Sequence, residues 1–389
     1  MKRHIAVAAS ALLAFGATGA AQAQTQGVTD TEVVIGSFND LSGAFAAFGA
    51  PAIEAANLYF KEINDKGGVH GRKIRFVVED HAYQMPKATQ AFNKLVNSDK
   101  VFAMLLSLGT PMNIAAFKLM DEKNVLSLLP LTAAREMLEV GKKELKFVGF
   151  SSYYDQMRGA VKHFAEKDKA TTFCTMFLPT DFGKEIQQGV VDQAKAMNLK
   201  VAVETTHKPD EADFVGSLTK LKDAGCQVIA HALTVRQAIT VSGTVKKMGW
   251  NDVKVVGSSA GFNTAISAVP GGVTEGLYAV AGWADHVARM DVPEVKAWVD
   301  SYKAAYNKEP GTGALLGRSA AETLVRGLQA AGKTLTTESF IKAMESLKYD
   351  DKLMGTQSEY GPNDHQGVND NIVSVVQGGK WVEVARVKQ

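Results

Sequence analysis

An α/β fold of two similar lobes is what this sequence predicts, on three observations. Short β-branched runs alternate with segments whose apolar residues recur at helical spacing. The alternation starts at Glu32, runs to about Leu129 and restarts after Phe150. With 389 residues, 46% of them hydrophobic, the chain can fill two cores at roughly 100–200 residues per domain.

Each element has a local reason. Glu32–Phe38 is a β-branched strand. Loop residues Asn39, Asp40, Ser42 and Gly43 follow it, and Ile53, Ala56, Phe60 and Ile63 then share a helix face that Gly67-Gly68 ends. Ile74, Phe76 and Val78 alternate as a strand. Pro86 opens a helix bearing Ala88, Phe92 and Leu95. Val101–Leu106 reads as a buried strand, Ser107–Pro111 as its turn into a helix, and Val125–Leu129 as the next strand. Such βαβ repetition makes a parallel sheet covered on both faces.

The second half repeats the scheme. Strands are expected at Thr171–Leu178, Lys200–Thr206, Gln227–Leu233 and Val253–Val256, with helices at about 154–167, 182–197, 214–221 and 235–248. Three more helices follow, at Pro293–Tyr306, Leu315–Ala331 and Thr337–Leu347. A hairpin closes the chain: Ile372–Gln377, Gly378-Gly379, then Trp381–Val387. No Pro- or Ser-rich linker separates the halves, so short strands of the sheets themselves should join them.

The first residues read as an export signal. Lys2, Arg3 and His4 precede the apolar stretch Ile5–Gly19, and Ala21-Gln22-Ala23 fits a cleavage site after Ala23. No later stretch reaches the ~18 apolar residues of a membrane helix. Charge balances at 43 basic against 41 acidic residues, and losing Lys2 and Arg3 leaves no excess. A neutral chain gives no electrostatic argument for nucleic acid. Cys174 and Cys226 each lie in or beside a β-like run. Neighbouring strands would bring them within bridging reach, but the preferred reading is two buried free thiols that pack as small hydrophobes.

Three motif matches point toward enzymes. Gly327–Thr334 satisfies G-x-x-x-x-G-K-T. A phosphate loop needs a strand before it, and here Ser319–Ala331 reads as a helix with Gly332 as its cap. Gly311, Gly313 and Gly317 likewise lack a strand and the dinucleotide spacing. Gly257-Ser258-Ser259-Ala260-Gly261 satisfies G-x-S-x-G after a strand, with Asp285 and His286 or Asp364 and His365 following in hydrolase order. A secreted serine hydrolase using Ser259 is therefore the alternative function. The eight His show no paired metal spacing, and no metal or cofactor is expected.

The loops at strand carboxyl ends share a chemistry. In open α/β sheets ligands bind there. Ser107-Leu108-Gly109-Thr110-Pro111 leaves a strand and opens a helix, offering hydroxyls and N–H groups to an anion. Pro130-Leu131-Thr132-Ala133 is a second hydroxyl-bearing loop. Phe45, Phe48, Tyr153, Tyr154, Asp181, Phe182, Ser258, Ser259 and Phe262 come from others. Together they suit a small, partly apolar anion. Arg236 and Arg318 are placed near the same cleft.

At this point the sequence resembles a known family. Ile35-Gly36, Leu41-Ser42-Gly43, Phe48-Gly49, Ile63-Asn64-Asp65-Lys66-Gly67-Gly68-Val69 with Gly71-Arg72, Asp155-Gln156, Asp181-Phe182-Gly183 and Thr274-Glu275-Gly276 carry the likeness. It is similar to the periplasmic substrate-binding proteins of ABC importers, in the branched-chain amino acid (leucine/isoleucine/valine-binding) family. The resemblance implies two Rossmann-like lobes (a type I periplasmic-binding protein) joined by three crossovers. One lobe would hold residues 24–150 plus 283–354, the other 151–282 plus 355–389. It also implies a monomeric, periplasmic, non-enzymatic receptor that delivers a small molecule to membrane permease subunits.

By the same resemblance, Ser107, Leu108, Gly109 and Thr110 with Leu131, Thr132 and Ala133 would hold a carboxylate. Phe48 would cover the ligand, and Tyr153, Tyr154, Phe182, Thr234, Ser258 and Ser259 would complete the cleft. Amino acid binders of the family place a Glu for the ammonium where this chain has Ser259. Asp155 or Asp181 could substitute. Otherwise the ligand is an aromatic or short aliphatic acid without an amine.

Overall fold

The computed structural model describes residues 25–387; the expected signal segment and its cleavage site lie outside them. The first lobe follows the expected alternation: β1 (Glu32–Asn39), α1 (Ala46–Asp65), β2 (Lys73–Asp80), α2 (Met85–Asn97), β3 (Ala103–Leu105), α3 (Thr110–Glu122), β4 (Leu126–Leu128), the short α4 (Glu136–Glu139) and β5 (Lys146–Phe147). The strands form one parallel sheet in the order β2-β1-β3-β4-β5. β5 was not expected, because two residues carry no periodicity.

The second lobe holds α5 (Tyr153–Lys167), β6 (Thr172–Phe177), α6 (Asp181–Ala196), β7 (Lys200–Thr206), α7 (Val215–Asp223), β8 (Val228–Ala232), α8 (Val235–Lys247), β9 (Lys254–Gly257), the short α9 (Thr264–Ser267) and β10 (Tyr278–Ala281). The chain then returns to the first lobe with α10 (Pro293–Tyr306), α11 (Thr312–Ala331), α12 (Thr337–Glu345) and the small hairpin of β11 (Lys348–Asp351) and β12 (Thr356–Glu359). It ends in the second lobe with β13 (Asn371–Gln377) and β14 (Lys380–Val387). They extend that sheet to the order β14-β13-β10-β9-β8-β6-β7.

The chain crosses between lobes three times. The first crossing follows β5 and the second follows β10. The third comes after Gly367, not at 354/355. Glu359 N–H donates to the Gly367 carbonyl at 2.8 Å, and Val148 N–H to that of His365 at 2.9 Å. The rings of Tyr360 and His365 pack on Phe147. The β11–β12 hairpin that holds this stretch on the first lobe is too short to read from alternation.

Two other features are tertiary. Cys174 and Cys226 are bonded to each other, with Cα atoms 5.8 Å apart, which corrects the free-thiol expectation. β6 and β8 are neighbours in the sheet, and strand order put the two sulfurs side by side. Gly313 and Gly317 let α11 press on α1: a Cβ at either would lie 2.3 Å from the Phe48 carbonyl oxygen or 2.0 Å from that of Ala52. Gly332 ends α11 at φ 77°, so the G-x-x-x-x-G-K-T match is a helix end.

Candidate functional site

The site is built at the carboxyl edge of the first sheet, where the backbone is unusual. Leu106, Leu129, Ala82 and Tyr83 all take positive φ, between 49° and 59°. Such conformations cost roughly 1–2 kcal/mol per residue and persist where surrounding structure holds them. Asn39 holds one, donating Nδ2–H to the Leu106 carbonyl at 2.7 Å. Buried His81 holds another. Its Nδ1 accepts the Tyr83 N–H at 3.0 Å, which leaves Nε2–H to donate to the Leu108 carbonyl at 3.1 Å. Burial pushes its pKa down, in keeping with a neutral ring.

The two hydroxyl loops are tied together. Leu108 and Leu131 form a parallel bridge, and Leu131 N–H donates to the Ser107 carbonyl at 2.9 Å. Gly109, at φ 102°, precedes the first turn of α3; a Cβ there would lie 2.8 Å from the Met112 sulfur. Thr110 and Thr132 share a hydrogen bond of 2.6 Å between hydroxyls, and Thr132 also lies beside the Tyr153 hydroxyl. Burial pushes the Tyr153 phenol up to about 12, so it stays protonated. The first N–H groups of a helix lack intrahelical acceptors. The start of α3 therefore adds donors beside this chain of hydroxyls.

Aromatic side chains make the rest. The Asp40 carboxylate accepts N–H bonds from Gly43 at 2.6 Å and Phe45 at 2.8 Å, so the loop after β1 presents Phe45 and the first turn of α1 presents Phe48. Phe45 packs on Tyr83 at 4.5 Å and edge-on to Phe182 at 5.7 Å, across the lobes. Phe150 and Trp283, on the first and second crossings, meet at 4.8 Å. The cavity has a volume of about 40 Å³, room for about three waters at ~10–15 Å³ each.

Of the expected site residues, Phe48, Leu108, Gly109, Thr110, Leu131, Thr132, Tyr153, Phe182 and Ser259 line this cavity. Five do not. Ser107 and Ala133 lend carbonyls to the scaffold, the latter accepting from Tyr153 N–H at 2.7 Å. Tyr154 follows Tyr153 on α5, roughly 100° around the helix, and its hydroxyl donates to Asp192 at 2.9 Å. Thr234 caps α8 in a reciprocal box with Gln237. Ser258 accepts the Ala260 N–H at 3.3 Å. Phe45, Tyr83, Phe150, Ala260, Trp283 and Leu316 also line the cavity. Phe45 stands on a loop already marked, but Trp283 and Leu316 lie too far along the chain to associate with it.

No Asp, Glu, Lys, Arg or His is among the lining residues. Asp155 caps α5 with Ser152, and Asp181 is exposed. Arg318 stacks on Tyr59 at 4.0 Å beside Glu62 and Glu322, and Arg236 is exposed, so neither joins the cleft. The hydrolase geometry is also missing. Ser259 donates its N–H to Gln156 Oε1 at 2.8 Å, and among the described residues no histidine hydrogen-bonds it. His286 bonds the Pro310 carbonyl, and His365 lies against Phe147 on the first lobe.

The sequence matches the profile of the periplasmic binding proteins over residues 32–380. The chain belongs to the periplasmic binding protein family. This binding protein is 26% identical over 332 residues to the leucine-, isoleucine-, valine-, threonine- and alanine-binding protein of Pseudomonas aeruginosa, covering 80% of this chain and 84% of that one. Its fold matches the fatty acid ABC transporter substrate-binding protein from Thermomonospora curvata with a TM-score of 0.83 and 25% identity, over 94% of this chain and 95% of the other. It also matches an R. palustris ABC transporter solute-binding protein in complex with benzoate, with a TM-score of 0.81 and 19% identity, over 92% and 96%. The protein is thus an extracytoplasmic substrate-binding receptor of ABC transport and not a serine hydrolase. Among the described residues no helix is long and apolar enough to cross a membrane.

Proposed function

We propose that this receptor captures a small carboxylic acid without an amine, aromatic or short aliphatic, and delivers it to membrane permease subunits. One observation carries the reading: no charged side chain lines the cleft. An ammonium closed away from water needs a carboxylate partner, because an unpaired buried charge costs several kcal/mol. By the resemblance, Ser259 matches the position where the family's amino acid binders carry a Glu, and neither Asp155 nor Asp181 lines the cavity in its stead. A carboxylate needs only donors, which the start of α3 and the hydroxyls of Thr110, Thr132 and Tyr153 offer. Phe45, Phe48, Tyr83 and Phe182 cover the apolar part.

The relatives fit such a divergence. The names of the compared proteins cover amino acids, fatty acid and benzoate, so the same fold serves acids with and without an amine. The protein works as a monomer in the periplasm, released by cleavage after Ala23, and its lobes close on the ligand.

A thermal-shift screen of the mature protein against leucine, valine, benzoate-type acids and short aliphatic acids tests this, with calorimetry on the best ligands. Bound ligand in excess raises the melting point through linkage. The amine-free acids should bind at least as well as leucine or valine. Tight leucine binding with no response to any de-amino acid refutes the reading.

A further inference from the structure

Trp283 lies just beyond β10, on the second crossing, and contributes to the cavity wall. Its side chain is 1% exposed. Phe150 meets it edge-on at 4.8 Å and Phe262 at 5.6 Å, so the indole plane is set from two sides. Its Nε1 is buried without a hydrogen-bond partner. Trp381 is equally buried, yet its Nε1 donates to the Asn263 carbonyl at 3.1 Å. The two tryptophans flank the same Phe262 ring, and only the one in the ligand cleft keeps a free proton. Buried donors in folded proteins are rarely left unpaired, and the faces of Phe150 and Phe262 are weak acceptors.

We infer that Trp283 is a specificity-determining residue: its indole N–H donates to an oxygen on the ligand remote from the carboxylate. The preferred ligand is then a carboxylic acid carrying a second oxygen, as a ketone, ether or phenol. This rests on the proposed capture of an amine-free acid at the Thr110–Thr132–Tyr153 end. Those hydroxyls come from the start of α3, the loop after β4 and α5, whereas Trp283 comes from the second crossing, so different elements of the cavity wall supply them. An alkyl group against Nε1 leaves the buried donor unpaired, and an oxygen satisfies it. Sites with such a donor discriminate against analogues that lack the matching group. Ligand arrives while the lobes are apart, which lets an acceptor meet Nε1 before the cleft closes around it.

Calorimetry of the mature chain with matched acids tests this: pentanoate against its γ-keto analogue, and para-methylbenzoate against para-methoxybenzoate. The oxygen-bearing member of at least one pair should bind about threefold to tenfold tighter. Trp283→Phe keeps a ring and removes the proton. It should erase that preference, bringing the two members of each pair to within about twofold of one another in the variant, whatever its overall affinity. Equal or reversed affinities in both pairs on the unmutated chain overturn the inference with no variant needed. A preference that persists in Trp283→Phe also overturns it. Leucine binding with none of the four acids bound refutes instead the amine-free-acid reading on which it stands.

Discussion

Arg135 and Glu185 bind the two lobes together beside the cleft, and separating them should weaken ligand capture. Arg135 follows the Leu131–Ala133 loop of the first lobe, and Glu185 lies on α6 of the second, three residues beyond Phe182. The guanidinium makes two parallel bonds, Nε to Oε1 at 2.9 Å and Nη2 to Oε2 at 3.0 Å. The Arg135 backbone N–H adds a third to Oε1 at 3.1 Å. The Tyr154 ring lies 3.7 Å from the guanidinium carbon and fixes its plane. Glu185 is 3% exposed and Arg135 31%. Truncating one partner of a buried, hydrogen-bonded charge pair across an interface costs about 2–5 kcal/mol. The partial exposure of Arg135 argues for the lower end, because solvent screens it. Opening hydrates Glu185, so the loss falls on the closed state alone. Arg135→Met should therefore raise the Kd by about 30-fold, the equivalent of ~2 kcal/mol. Adding Glu185→Leu should recover part of it, since the stranded carboxylate is then gone. Calorimetry gives the Kd, and solution scattering gives the compaction on ligand addition. A Kd within about twofold of the unmutated protein, or single and double changes that simply add, would refute the reasoning.

Thr132→Val keeps the side-chain shape and breaks the hydroxyl chain from Thr110 to Tyr153; acid binding should fall by about tenfold or more in calorimetry, from the ~1.5–3 kcal/mol of a hydrogen bond to a charged group. The disulfide closes a sequence separation of 52 residues, so Cys174→Ala with Cys226→Ala should cost about 2–4 kcal/mol in urea unfolding and leave ligand affinity unchanged. Burial with no facing charge pushes His231 from its ordinary 6.5 down to about 4. The unfolded chain therefore binds a proton that the folded one refuses. Stability is full above about pH 6.5 and declines by about 3 kcal/mol as pH falls to about 4; melting curves of His231→Leu should lose that part of the slope.

The alternation of strands and helices, and with it the two-lobed class, was legible in the sequence because periodicity is local. The bounds of Pro293–Tyr306 and the Gly378-Gly379 hairpin emerged from Pro and Gly, whose backbone preferences need no tertiary partner. The same locality explains Thr110, Thr132 and Phe182: each follows a strand end, where open sheets place ligands whatever their order. Only the tertiary structure decided the rest. The Cys174–Cys226 bond depends on β6 lying beside β8, and strand order is not a local property. Tyr153 turns inward while Tyr154 turns to Asp192 and Arg135, because packing sets the rotation of α5. Trp283 and Leu316 reach a cavity most of whose other walls lie more than a hundred residues away in the chain, through the second crossing and the packing of α11 on α1. The uncharged lining is likewise a result of direction: Asp155, Asp181, Arg236 and Arg318 are all near in sequence to cleft elements, and each side chain points elsewhere because solvent or an opposite charge holds it there.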